Sequence, residues 1–445
     1  YNNRTPMNNR LPHLGARQRS GIPEGIFSIC SSGSMVLETA LQQAALKNAD
    51  LIVESTCNQV NQYGGYADMT PADFASYIKR LAGNAGYPED MLLIGGDHLG
   101  PYPWRAESAE TAMEKAKTLV HDCVSAGYGK IHLDCGMPLG DDAVDTVFIP
   151  PELSAQRSVS LCKAAEAARS DLQRQMGLPL YVIGAEAPTP GGSLTGAEAV
   201  PVTEPEDISD FLDICRRLWQ QEGLDDALQR VVAIVVQPGI DFGPDSFVGY
   251  SPARARELSR FHAHLPDPMT YEVHATDFQH DVSLSKMVDD HFALLKVGPV
   301  LTFAFREAVF ALAHIENELL KNKKSAEASG IMDVIDRQMI DAPEYWQSHV
   351  PGDDEDARIY RIYGFTDRIR YYWKYPAVKK AFRVLENNLT RSIPLGLISQ
   401  YLPESFPDSG NDAARENPPL TPDFLIRQRI LKAIDPYFRA CRPRK

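Results

Sequence analysis

The stretch "LLIGGDHLGP", Leu92–Pro101, runs through three apolar residues and two glycines, delivers an Asp-His pair, and turns at Gly100-Pro101. Short apolar text that ends in polar groups is how a strand covered on both faces of a parallel sheet reads. The same kind of text recurs seven more times: "GIFSICS" (25–31), "DLIVEST" (50–56), "KIHLDC" (130–135), "LYVIGAE" (180–186), "VVAIVVQ" (231–237), "TYEVHA" (270–275) and "FALLKV" (292–297). Each run precedes a helical stretch. In 205–222, Ile208, Phe211, Leu212, Cys215, Leu218 and Trp219 recur at helical spacing, with Thr203 and Glu206 as a capping box, Pro205 near the first turn and Gly223 beyond the last. In 111–126, Met113, Ala116, Val120, Cys123 and Val124 share one face, and Gly127 stops the helix.

Eight strand-helix units over roughly 300 residues predict a (β/α)8 TIM barrel. The alternative, an open doubly wound sheet, normally uses fewer strands. Its nucleotide-binding form carries a Gly-rich fingerprint after the first strand. Here that position reads "SICSSGSM", and no phosphate-loop motif occurs anywhere. The barrel is assigned to residues 21–320. Residues 1–20 read as a mobile polar arm without the apolar region of a signal peptide. After the charged linker "LKNKKSAEASG", residues 321–445 read as a helical C-terminal extension, rich in aromatics that suit helix packing. The extension is expected to cover part of the barrel or serve an oligomer contact. "PESFPDSGNDAARENPP" (403–419) reads as an exposed loop.

The chain has 445 residues, 44% hydrophobic and 23% charged, which is ordinary for a soluble globular protein. Its net charge of −14 repels phosphate backbones and anionic lipid, so neither nucleic acid nor a membrane surface is an expected partner. The longest uniformly apolar runs are far shorter than the roughly 20 residues a spanning helix needs. Seven scattered cysteines, an odd number with no C-x-x-C, argue for a reducing, cytoplasmic setting.

Barrel enzymes place their chemistry at the C-terminal ends of the strands. Those ends supply Glu54, Asp97 and His98, Asp134, Glu186, Gln237, and His274 with Asp277; Lys296 lies in the eighth run. Random placement would scatter polar groups over both ends, so the set predicts a polar site. His98 and His274, the Glu186 carboxylate and the Gln237 amide oxygen fit a divalent transition metal: zinc, manganese, cobalt or nickel. A hydrogen-bonded cluster without metal is the other reading. After the second run, Asn58, Gln59, Asn61 and Gln62 place four amides within five residues. Amides both donate and accept, so they match a hydroxyl-rich ligand, or they satisfy their own loop. "MTPADF" starts a helix, with Thr70 as N-cap and Pro71 at its first position. "APTPGGS" (187–193) could act as a lid beside Glu186.

"NQVNQYGGY", "MTPADF", "GGDHLGP", "KIHLDC", "YVIGAE", "VVQPG", "LLKVGPVLTFAFREA", "DRIRYYW" and "IPLGLISQYLP", in this order, resemble the GatZ/KbaZ family, the Z-type subunits of class II D-tagatose-1,6-bisphosphate aldolase. The resemblance runs from about residue 20 to the end. It implies a barrel, a sugar context, and a non-catalytic partner of a separate catalytic subunit, with relatives that act alone as ketohexose 4-epimerases. "GGDHLGP" is also similar to the Asp-His pair of catalytic class II aldolases. That likeness implies proton transfer by Asp97 and metal binding by His98, Glu186 and His274, with Gln237 where a further histidine would stand. In place of a glycine-rich phosphate segment this chain has "VHATDFQH", and Asp277 there would repel a phosphate, so an unphosphorylated sugar is expected.

The expected function is a metal-dependent ketohexose 4-epimerase of the fructose/tagatose type. Asp97 takes the C4 hydroxyl proton in a retro-aldol step, and Asp134 is a second acid/base or orienting group. Glu54, the four amides, Asp277 and Lys296 contact the ketohexose or its phosphate. The alternative is an accessory aldolase subunit that binds a catalytic class II partner. A homo-oligomer is expected in either case.

Overall fold

All eight runs become strands, and they close. The computed structural model describes residues 5–143, 147–168, 177–184, 200–323, 327–350, 354–406 and 420–443. The strands are β1 (Ile26–Cys30), β2 (Leu51–Thr56), β3 (Leu92–Leu99), β4 (Lys130–Asp134), β5 (Leu180–Gly184), β6 (Val231–Val235), β7 (Thr270–Val273) and β8 (Leu294–Val297). Each pairs in parallel with its sequence neighbours, and β8 returns to β1 through Ile26 opposite Leu294. A closed cylinder has no free edge. Its outer face is sheathed by helices such as Pro71–Asn84, Ala109–Ser125 and Pro205–Gln221.

The capping box that starts Pro71–Asn84 is present, with Thr70 and Asp73 bonding each other's backbone. The one expected at Thr203 is not. Pro205–Gln221 begins as foreseen, but the Thr203 hydroxyl instead accepts the Gln237 N–H at 2.8 Å. That contact ties the loop after β6 to the start of the helix.

The N-terminal segment differs from the polar arm expected. Residues Met7–Arg19 form three short helical pieces, and Met7, Leu11 and Leu14 are buried. They pack against Ile52, Leu93, Leu180, Val182 and Val232, the inward residues at the N-terminal end of the strands. The spacing i, i+4, i+7 puts the three apolar side chains on one side, and that side closes the base of the barrel.

The extension is also tied to the barrel. Its last helix, Pro422–Ala440, packs on Pro299–Leu320, Asp281–Asp289 and Ser34–Lys47. Phe438 meets Phe27 of β1 edge-on at 4.9 Å. The Tyr437 hydroxyl donates to the Thr276 carbonyl at 2.8 Å, in the loop that follows β7.

If Leu11 helps close the base, Leu11→Ala should lower the unfolding free energy by about 2–4 kcal/mol. Urea unfolding measures this. A loss below about 0.5 kcal/mol is what a solvated arm would give.

Candidate functional site

Side chains alternate along a strand, so Lys130, His132 and Asp134 all face into the barrel from β4. Leu93, Gly95 and Asp97 do so from β3, and Glu272 with His274 from β7. The interior therefore changes with height. The base is apolar. The middle layer is ionic: Lys130 Nζ lies 2.7 Å from Glu54 Oε1 and 2.6 Å from Glu272 Oε2, with all three side chains fully buried. Lys296 contacts Glu54 as well and reaches Asp97 Oδ1 at 3.0 Å. Gly95 pairs with Glu54 on one side and Lys130 on the other, and a Cβ there would come within 2.8 Å of Glu54 Oε1. The glycine makes room for the ion pair.

Above this layer sit three imidazoles. The ring centres of His98, His132 and His274 are 4.7–5.2 Å apart. His98 Nδ1 is 2.6 Å from Asp134 Oδ2, and His98 Nε2 is 3.1 Å from His274 Nδ1. His274 Nε2 is 3.1 Å from Glu272 Oε1. His132 Nδ1 is 3.0 Å from Asp97 Oδ1. The pairing of β3 with β4 shifts between Gly96 and Leu99, and His98 takes a φ of +46° at that bulge. Ala275, just after His274, has a φ of +53°. Left-handed backbone at non-glycine residues marks positions the surrounding structure must enforce. Both flank the imidazoles.

Burial alone would push the Asp97 carboxyl up; the imidazoles of His98, His274 and His132 hold it well below the ordinary carboxylate range. Burial opposes charge on His98, but the Asp97 carboxylate and the Asp134 hydrogen bond outweigh it and raise its pKa to about 9. Burial keeps His274 below its usual value. Asp277 is pushed up to about 6 by burial, against the amides of Val300 and Gly298 that bond it.

A cavity of 390 Å³ opens over Asp97, His98, His274 and Lys296. Asn58 and Gln59 line it, as does Asp277. Asn61 is spent on its own loop: it donates to the Cys57 carbonyl at 2.9 Å and accepts from Tyr63 and Gly65. Gln62 donates to the Lys115 carbonyl at 3.0 Å. Asp277 Oδ1 accepts the Gly298 and Val300 N–H groups at 3.1 and 2.8 Å, capping helix Pro299–Leu320. Glu54 lies in the ionic layer under the cavity. Asp134 orients His98. Gln237 is not gathered with the histidines, because its amide oxygen accepts from Gly239 and Ile240, both at 2.9 Å. Glu186 and the segment 187–193 lie outside the described residues.

Among the described residues, one group could hold a metal: Asp97, His132, Glu272 and His274, whose ligand atoms lie within 4.8 Å of one another. It shares only His274 with the set expected from sequence. The donors fit a transition metal, with two imidazoles and two carboxylates. His132 Nε2 is buried without a hydrogen-bond partner, as a ligand nitrogen awaiting an ion would be. Four buried carboxylates (Glu54, Asp97, Asp134, Glu272) face two ammonium groups, which leaves negative charge for imidazolium or a cation. Lys130, His132 and Glu272 were missed in the sequence, although counting back in twos along the inward face from Asp134 reaches His132 and then Lys130, and from His274 reaches Glu272.

The sequence pattern of one family, described as "D-tagatose-1,6-bisphosphate aldolase subunit GatZ/KbaZ-like", matches residues 11–442. The chain belongs to the GatZ/KbaZ-like family. It is 42% identical over 427 residues to the "D-tagatose-1,6-bisphosphate aldolase subunit GatZ" of Klebsiella pneumoniae subsp. pneumoniae, covering 96% of this chain and 97% of that protein. A crystal structure of a probable tagatose 6 phosphate kinase from Sinorhizobium meliloti 1021 superposes with a TM-score of 0.81 at 36% identity, covering 94% of this GatZ/KbaZ-like chain and 100% of that one. No helix among the described residues is long and apolar enough to cross a membrane.

The raised His98 value has a signed consequence. The folded chain favours the imidazolium, so this stabilisation is fully present below about pH 6.5 and is lost as pH rises through about 9. Lys296, pushed down to about 8 by burial, contributes with the opposite sign over the same range. The readout is therefore a difference: in urea, the change in unfolding free energy from pH 6 to pH 9.5 should be less destabilising in Asp134→Asn than in the parent protein. The same change with pH in the variant and the parent would contradict the assignment.

Proposed function

We propose that this chain serves as the Z-type subunit of a class II D-tagatose-1,6-bisphosphate aldolase, binding a separate catalytic subunit and supporting its activity. Identity of 42% along 96% of the chain with a GatZ subunit carries this reading. Co-expression with a class II catalytic subunit tests it. The expected result is a co-purifying complex that cleaves D-tagatose 1,6-bisphosphate at least several-fold faster than the catalytic subunit alone. Separate elution with unchanged cleavage would refute it.

A second reading rests on one observation. A pure scaffold has no use for Asp97 and three imidazoles gathered under an open cavity. They support ketohexose 4-epimerisation. A divalent ion held by His132, Glu272 and His274 would polarise the ketose carbonyl and leave the Asp97 carboxylate free for proton transfer. In this reading Asp97, kept ionised by its neighbours, accepts the proton of the C4 hydroxyl. The C3–C4 bond then breaks, its electron pair passes toward the C2 carbonyl, and C4 leaves as an aldehyde. His98, backed by Asp134, holds a proton beside the enediolate. The aldehyde turns, C3 attacks its other face, and Asp97 returns the proton to the new C4 alkoxide. Asn58 and Gln59 bind hydroxyls. Purified chain with added manganese or zinc should convert fructose to tagatose, and Asp97→Asn should cut the rate at least 100-fold. Absence of turnover of both fructose and fructose 6-phosphate with either metal would remove this reading and leave the first intact.

A further inference from the structure

The aromatic and basic text "DRIRYYWKYPAVKK" of the extension reads as helix packing, yet it reaches the cavity. Arg370, Lys374 and Lys379 line the same space as Asp97 and His274. The Arg370 guanidinium donates to the main-chain carbonyl of Thr366, to that of Asp367 at 3.1 Å and to the Tyr371 hydroxyl at 2.8 Å. Among the described residues it has no carboxylate within ion-pair distance, and neither does the exposed Lys379. Lys374 is shared between the Tyr66 carbonyl at 2.9 Å and the Asp68 carboxylate at 3.1 Å. Asp68 is itself largely exposed, which makes that pair weak.

The opposite side of this wall is a second source of positive potential. Ser31, Ser32 and Gly33 lead into helix Ser34–Lys47, which has no side-chain N-cap. Its first intrahelical bond runs from Leu37 N–H to the Gly33 carbonyl at 3.0 Å, so the amides of Ser34, Met35 and Val36 precede the ladder, and all three residues line the cavity. Uncapped amides at a helix start favour an anion. Asp277 was counted as repelling one. Its Oδ1 is committed to the Gly298 and Val300 amides, and three cations that the sequence did not place there now outnumber it.

We propose that the extension's side of the cavity binds the anionic end of a polyhydroxy ligand, a phosphate ester or a carboxylate, through Arg370, Lys374, Lys379 and the open start of helix Ser34–Lys47. The hydroxyl-bearing end then lies toward Asp97, His98 and His274. This assigns the extension a recognition role, and it holds whether or not a catalytic subunit is bound.

Calorimetric titration of the purified full chain tests the proposal. The probes are fructose, fructose 6-phosphate, and the keto-uronate with a carboxylate at C6. At least one anionic probe should bind tenfold or more tighter than fructose, and 0.5 M salt should reduce that margin. The tighter of the two anionic probes names the anion. Arg370→Gln and Lys379→Gln should each weaken the anionic probe about three- to tenfold and leave fructose within twofold. Lys379 is exposed, so its variant keeps the test alive if Arg370→Gln fails to fold. Anionic probes that bind no tighter than fructose, no binding by any probe, or folded variants that keep the full preference would overturn the site. Complex formation with a catalytic subunit is read separately, so neither result can stand in for the other.

Discussion

A fully buried lysine between two fully buried glutamates sets the terms for the rest of this barrel. Lys130, Glu54 and Glu272 come from β4, β2 and β7, so the contact holds strands that are not neighbours in one register. Taking such charges out of water is costly, and close contact must offset it. The contact needs a strand between β2 and β4 that carries no side chain at that level, which is what Gly95 provides. Lys296 then links Glu54 to Asp97. The charged layer thereby fixes the height and orientation of the first carboxylate of the site, and Glu272 does the same for His274.

The two ends of the chain close the barrel from opposite sides. Met7, Leu11 and Leu14 seal the apolar base. The extension reaches the mouth, where Tyr437 bonds the loop after β7 and Arg370, Tyr371 and Trp373 complete the cavity wall. The barrel alone supplies the acids and imidazoles. Most of the cationic wall comes from the extension. A catalytic site and a ligand-binding subunit would both need this division, because each must hold a sugar in one orientation.

Short, near-continuous apolar runs that end in polar groups and precede helices are a strong signal, and all eight strands were legible from them. The site was only partly so. Asp97, His98, Asp134 and His274 stand out because they end strands. Lys130 opens β4 and Glu272 lies inside β7, away from the strand ends that a search for catalytic groups looks at; only the closed barrel shows that they neutralise each other. Gln237 looked like a ligand at a strand end, but nothing in sequence reveals that a Gln-Pro-Gly turn consumes its own amide oxygen. Arg370 and Lys379 lie beyond residue 321 and could be joined to the cavity only by the fold. The arm was misjudged because Met7, Leu11 and Leu14 are diluted by polar neighbours.

The most direct test of the central claim is the unfolding free energy of Lys130→Met, a substitution close in volume that leaves Glu54 and Glu272 buried without their shared ammonium. The account predicts a loss of about 3–5 kcal/mol in urea at pH 7, partly regained when Glu272→Gln is added. A Lys130→Met protein within about 1 kcal/mol of the parent would show that the ionic layer does not hold the barrel or its site.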